Sequence, residues 1–87
     1  MASYSVFIKR SAAKELEAIG PKKDRARLVE RIRGLGVDPR APGCEKLAGP
    51  DDLYRVRVGS FRIVYAIDDK DAAVHVVKVG HRRDVYR

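Results

Sequence analysis

The sequence has 87 residues, enough for one small domain, and its apolar fraction of 45% argues against disorder, so we expect residues 1–87 to fold as a single unit. Nineteen basic residues against 12 acidic ones give a net charge of +7, which favours a polyanionic partner, either nucleic acid or an acidic protein, over a purely solubilising role. The single cysteine, Cys44, excludes a disulfide framework and a cysteine-based zinc site, and the lack of any long apolar run predicts a cytoplasmic protein without a membrane segment.

The first part of the chain predicts a strand followed by two helices. Alternating apolar and polar residues predict a strand over Ser3–Lys9. A short helix follows, with Ser11 as its candidate N-cap and Gly20 able to end it. A second helix is predicted from about Pro21 to Leu35, because leucine and isoleucine recur there at helical spacing while basic side chains cover the other side.

The second part of the chain predicts three strands. The segment "GVDPRAPGCEKLAGPDD", residues 36–52, has the composition of a long connection rich in turns. Strands are then predicted over Leu53–Val58, Phe61–Ile67 and Ala73–Val79. Helices followed by a run of strands indicate an α+β fold. We expect an antiparallel four-stranded sheet with the N-terminal helical hairpin packed on one face and the other face open.

The stretch "LYRVRVGSFRIVY" raises the first functional question. A two-residue turn at Gly59-Ser60 would place Arg57 directly opposite Arg62, with Arg55 on the same outward face. Like charges opposite one another destabilise a sheet by up to roughly 1 kcal/mol. Such a cost is expected where a protein binds an anion, and two guanidinium groups suit a phosphate. The alternative is that these arginines are solvated or paired with Asp51, Asp52 or Asp84.

The ending "GHRRDVYR" should emerge near the same turn and add His81, Arg82, Arg83 and Tyr86 to the cluster. A histidine titrates near neutral pH, so His81 is a candidate for proton transfer. Neighbouring cations would lower the pKa of Tyr86, although a tyrosine here could equally anchor the chain end on the sheet. Acidic residues of the turn before the last strand, Asp68, Asp69 and Asp71, suit a turn, and we predict neither a metal site nor a cofactor.

This set of side chains suits phosphodiester cleavage in RNA. The 2′-hydroxyl of the substrate supplies the nucleophile, so the protein need only orient it, stabilise the phosphorane and protonate the leaving oxygen. DNA lacks that hydroxyl, so such a site would favour RNA.

The segments "KLAGPDDLYRVRVGSFRIVY" and "VVKVGHRRDVYR" resemble the RelE/ParE superfamily of bacterial type II toxin–antitoxin toxins, and especially its RelE-like branch. The resemblance covers nearly the whole chain. It implies a toxin that cleaves messenger RNA in the ribosomal A site and inhibits translation. It also implies a cognate antitoxin, expected to be acidic, that neutralises the toxin, and repression of their own operon through operator DNA bound by the antitoxin.

Carried over by motif, the resemblance assigns catalytic or RNA-binding roles to residues of both segments. These are Arg55, Arg57, Arg62, Arg82 and Tyr86. The best-studied pattern has lysines at the first two of these positions, and arginine transfers protons poorly, so the general base falls to Tyr86 or His81. Two alternatives to RNA cleavage are a ParE-like inhibitor of DNA gyrase without enzymatic activity and a catalytically weak module that binds RNA or protein.

Overall fold

The computed structural model describes residues 3–49 and 52–81, and the elements it contains there are two helices and a single five-stranded sheet. In chain order they are β1 (Ser5–Ile8), α1 (Arg10–Glu17), α2 (Lys22–Val37), β2 (Cys44–Lys46), β3 (Leu53–Val58), β4 (Phe61–Asp68) and β5 (Ala73–His81). This arrangement confirms the α+β class, with the helices before the main run of strands.

The sheet differs from the expected one in strand number and in one strand direction. Its strand order is β1-β5-β4-β3-β2, and β1 pairs with β5 in the parallel direction while the remaining pairs are antiparallel. The prediction of four antiparallel strands was therefore wrong. Alternation shows that β1 is a strand but carries no information about the direction of its neighbour, and β2 has only three residues, too few for a recognisable pattern. Cys44, expected in a loop, begins β2.

The helices cover one face of the sheet, as expected. Apolar side chains of both helices are buried against the sheet: Ala12, Leu16, Leu28, Ile32 and Leu35. The expected cap at Ser11 was wrong, because α1 begins at Arg10 and its N-cap position, Lys9, makes no side-chain capping bond. We call the sheet surface turned away from the helices the open face.

The end of α2 packs unusually close to β1. A Cβ atom on Gly36 would lie 2.9 Å from Val6 Cγ2 and 3.0 Å from the Tyr4 carbonyl oxygen, so the position requires glycine. The Tyr4 amide donates to the Gly36 carbonyl at 2.7 Å, which fixes the edge strand to the helix.

A tyrosine in the core fixes the connection between α2 and β2. Tyr65 is fully buried, and its hydroxyl donates to the Pro39 carbonyl at 2.7 Å. Burial is the main cause that raises the pKa of the Tyr65 phenol far above its ordinary value, so the group stays a neutral donor. Within residues 3–49 and 52–81, neither helix is long and apolar enough to cross a membrane.

Candidate functional site

The hairpin of β3 and β4 has the register predicted from the alternation. Val58 pairs with Phe61, Arg57 with Arg62, and Arg55 with Val64. Gly59 has a φ of +60° at the first turn position while Ser60 does not have a positive φ, which fits a type II′ turn. The apolar side chains of both strands join the core on the helical side, so all three arginines lie on the open face.

One cross-strand row contains the two opposed arginines. Arg57 pairs with Arg62, and Arg62 pairs on its other side with Gly80 of β5. The short strand β2 does not extend this row, because its register with β3 begins at Val56. Arg57 is exposed and its Nε donates to the Gly59 carbonyl at 3.0 Å, while Arg62 is half-buried. The row therefore places two arginines opposite each other on the open face, beside a residue without a side chain.

The neighbouring row is built differently. Arg55 pairs with Glu45 of β2, and its Nη2 lies 3.0 Å from Glu45 Oε2. The Arg55 side chain is only 22% exposed, so this ion pair is partly shielded from water. Glu45 was missed as a partner because its segment was expected to be a loop. Of the acidic partners considered from the sequence, Asp52 lies 3.3 Å from Lys46, whereas Asp51 and Asp84 fall outside the described residues.

A further cation lies on the helical side of the hairpin turn. A Cβ atom placed on Gly59 would be 3.7 Å from both terminal nitrogens of Arg27, which belongs to α2. A small cavity of about 120 Å³ separates α2 from the turn, and its lining includes Asp24 as well as Arg27. The sequence placed Arg27 only on the basic side of a helix, because spacing within one helix does not reveal which loop it faces.

His81 lies beside the turn, as expected from the sequence, but on the other side of the sheet from the arginines. It pairs with Phe61, whose ring belongs to the core, and the two ring centroids are 4.6 Å apart. The expectation that β5 ends near the hairpin turn is thus confirmed by register, whereas the His81 ring is held on the helical side. Arg82, Arg83 and Tyr86 fall outside the described residues.

A carboxylate from α1 holds β5 just before its end at His81. Glu15 Oε1 accepts a hydrogen bond of 3.1 Å from the Val79 amide, and Glu15 Oε2 lies 3.1 Å from Lys78 Nζ. Strand β1 stops opposite Val76, so beyond it this carboxylate takes the place of a neighbouring strand.

The acidic residues of the β4–β5 turn have structural partners. Asp68 Oδ1 accepts the Asp71 amide at 3.1 Å. Asp69 accepts two hydrogen bonds from the Arg40 guanidinium, at 3.0 and 2.8 Å, and one from the Tyr4 hydroxyl at 2.7 Å. The bonds from Arg40, with that from Tyr4, lower the pKa of Asp69 to about 2. These contacts join three separate parts of the chain.

The geometry suits binding of a phosphate on the open face. Arg57 and Arg62 can approach an anion from two neighbouring strands, and guanidinium groups stabilise a phosphorane as charge develops on it. Arg55 would have to share its guanidinium between Glu45 and such an anion. None of these three arginines can serve as a general base at neutral pH, because the guanidinium group stays protonated.

Comparison with known proteins identifies relatives over nearly the whole chain. A family described as the ParE toxin of type II toxin–antitoxin systems, parDE, matches residues 6–86. Toxin RelE of Mycobacterium tuberculosis is 34% identical, over 97% of this chain and 87% of its own length. The archaeal RelE–RelB complex from Pyrococcus horikoshii contains a similar chain with a TM-score of 0.81 and 32% identity, covering 92% of this chain and 96% of that one. The toxin–antitoxin complex RelBE2 from Mycobacterium tuberculosis gives the same TM-score with 27% identity, covering 92% and 99%.

Proposed function

This chain belongs to the family of ParE toxins of type II toxin–antitoxin systems, and we propose that it acts as a ribosome-dependent endoribonuclease on messenger RNA. The observation that carries the proposal is the opposed pair Arg57 and Arg62 on the open face. A sheet gains no stability from such a pair, whereas a bound phosphate attracts both guanidinium groups and offsets their mutual repulsion. The similarity to toxins named RelE supports the RNA-cleaving branch over other activities.

The reaction that we propose uses the substrate's own 2′-hydroxyl. The 2′-hydroxyl gives up its proton to a base and its oxygen bonds to the adjacent phosphorus, while the bond to the 5′-oxygen breaks and that oxygen takes up a proton. Arg57 and Arg62 hold the phosphate and neutralise the charge that develops on it, with Arg55 and Arg83 binding the backbone nearby. Arg82 follows His81 directly in the sequence and is proposed to contact the same phosphate.

We assign proton transfer to Tyr86 as the preferred candidate. The alternative, His81, has its ring against Phe61 on the helical side and would have to leave that contact to reach the phosphate. Comparing Tyr86→Phe with His81→Gln separates the two. A loss of cleavage only in Tyr86→Phe supports this assignment, and a loss only in His81→Gln reverses it.

The proposal includes specific partners. The similar chains in the two solved complexes are bound to RelB, and we propose that an acidic antitoxin neutralises this chain by crossing Arg57 and Arg62. The remaining proposed partners are the ribosome with its messenger RNA, and operator DNA contacted through the antitoxin. Translation places this activity in the cytoplasm.

Primer extension on a translated message after induction tests the function directly. The wild-type chain should produce cuts in register with the codons, and Arg62→Ala, Arg82→Ala and Tyr86→Phe should abolish them. Arg33→Ala is a matched control, because it removes the same charge from a side chain that is 76% exposed on α2. If all three site variants cut like the control, the site is wrong.

The second candidate function is inhibition of DNA gyrase, which the ParE description of the matching family favours. Such an inhibitor would induce a DNA-damage response and leave messages intact. Expression of the wild-type chain in cells that carry a damage reporter, with message levels measured in parallel, separates the two functions. A chain that causes neither effect and leaves growth unchanged would be a binding module only.

A further inference from the structure

The open face carries an exposed aromatic pair that the proposed cleavage site does not use. Phe7 of β1 and His75 of β5 are cross-strand neighbours, and their rings stack with centroids 5.3 Å apart and planes inclined by 16°. Phe7 is 54% exposed and His75 is also exposed. Phenylalanine is among the residues most often buried in a core, and here its ring is half in water.

Register places this pair on the same face as the arginines. His75 pairs with Ala66 on β4, and the residues on either side of His75, Val74 and Val76, are fully buried beneath the helices. Side chains alternate along a strand, so His75 points to the open face. The same alternation along β4 puts Ala66 on the face that carries Arg62.

The stretch of β4 between the two groups is apolar, and its central residue, Val64, is only 5% exposed. Val64 and Ala66 lie between Arg62 and the rings, and four residues of strand span about 13 Å. The acidic side chains on this face are held by other groups, since Glu45 binds Arg55 and Asp68 accepts an amide hydrogen of its own turn. Within residues 3–49 and 52–81, these two carboxylates of the face therefore already have partners, and both lie outside the stretch from Arg62 to Ala66.

We propose that Phe7 and His75 form a stacking platform for an unpaired base of the RNA whose backbone is held by Arg57 and Arg62. The proposal rests on the proposed function, because it adds a base-binding subsite to that phosphate site. Single-stranded RNA is held by this combination of a basic surface and aromatic rings, since every base offers a π-face. His75 covers one face of the Phe7 ring, and the position of β1 at the sheet edge leaves the other face for a base.

The sequence contains no tryptophan, which allows a direct optical test. The full chain with Phe7→Trp is titrated at low salt with a short single-stranded oligoribonucleotide, and the tryptophan emission is recorded. Stacking of a base should quench the emission. Ile8→Trp is the matched control, because Ile8 is the next residue of the same strand, is 39% exposed and points to the helical side, where no quenching is expected.

A second measurement separates stacking from charge. Phe7→Leu keeps an apolar side chain but removes the ring, and should weaken binding of the oligonucleotide by about five-fold or more. The loss should disappear when the oligonucleotide is replaced by one of equal length with abasic nucleotides, which keeps the phosphates. Arg62→Ala should weaken binding of both oligonucleotides.

The outcomes are distinguishable. No quenching in Phe7→Trp, or unchanged binding in Phe7→Leu beside weakened binding in Arg62→Ala, overturns the platform and leaves the phosphate site intact. Unchanged binding in Arg62→Ala counts against the proposed function itself. If Phe7→Leu weakens the complex with an antitoxin but not with RNA, the pair docks protein and the proposal is wrong. A loss of thermal stability with unchanged RNA binding would show that the stack only joins β1 to β5.

Discussion

Glu15 offers a sharp test of how the fold holds the end of β5. Its carboxylate accepts the Val79 amide at 3.1 Å and lies 3.1 Å from Lys78 Nζ, with side-chain exposures of 34% for Glu15 and 39% for Lys78. A partly exposed ion pair contributes about 0.2–1 kcal/mol, and a hydrogen bond to a charged acceptor about 1.5 kcal/mol at the low end of its range. Glu15→Ala should therefore lower the free energy of unfolding by about 2 kcal/mol.

Two further variants divide that loss between the contacts. Glu15→Gln keeps an acceptor for the Val79 amide, and Lys78→Met removes only the ammonium group, so each should cost about 0.5 kcal/mol. Urea unfolding followed by circular dichroism gives the free energies, and hydrogen exchange reports on the amide itself. Exchange at Val79 should accelerate in Glu15→Ala but not in Lys78→Met. Wild-type stability and wild-type exchange in Glu15→Ala would refute the role of this carboxylate.

Three other predictions concern the core, the turn and the opposed arginines. Tyr65→Phe leaves the buried Pro39 carbonyl without its donor and should cost about 1–3 kcal/mol in urea unfolding, so a loss below about 0.5 kcal/mol would contradict the bond. The pKa of Asp69 falls from 3.8 to about 2 on folding, so its contribution is complete above pH 3.8 and is lost as the pH falls through 2. The melting temperature of Asp69→Asn should accordingly lie below that of the wild type at neutral pH and converge with it near pH 2, and a constant difference would exclude the linkage. Salt screens the repulsion between Arg57 and Arg62, so added salt should stabilise the wild type more than Arg57→Gln, and equal salt dependence would show that the repulsion is negligible.

The register of the β3–β4 hairpin could be predicted because the sequence patterns of both strands specify it independently. Both strands of the hairpin independently place their apolar residues on one face, and only one register satisfies both, so the pairing of Arg57 with Arg62 follows from sequence. The strand β2 is too short for its own sequence to specify either a strand or a register. Its three residues become a strand only because β3 offers an edge, which is a property of the folded sheet rather than of "CEK".

The candidate site was likewise predicted only in part. Register fixed the face of the arginines, but the ring of His81 was expected near them because its strand ends beside the turn. Pairing with Phe61, which belongs to the core, puts it on the other side. A bulge near Val64 and Tyr65 shifts the register of β5 against β4, so counting along the strand from its start does not give the face.

Two rows of the same sheet show how one surface can use arginine for two purposes. In the row of Arg55, β2 supplies Glu45 directly opposite, and the resulting ion pair helps to hold a three-residue edge strand in register. One row further along, β2 has no residue opposite Arg57, and β5 contributes Gly80 beside Arg62. The fold therefore provides a carboxylate for the first arginine and, in the next row, a glycine beside Arg62. Extending β2 by one residue in the same register would place position 43 opposite Arg57, where an acidic residue could form a second ion pair. That position is a glycine, so the sheet does not neutralise Arg57 in this way, as expected of a residue that binds an external anion.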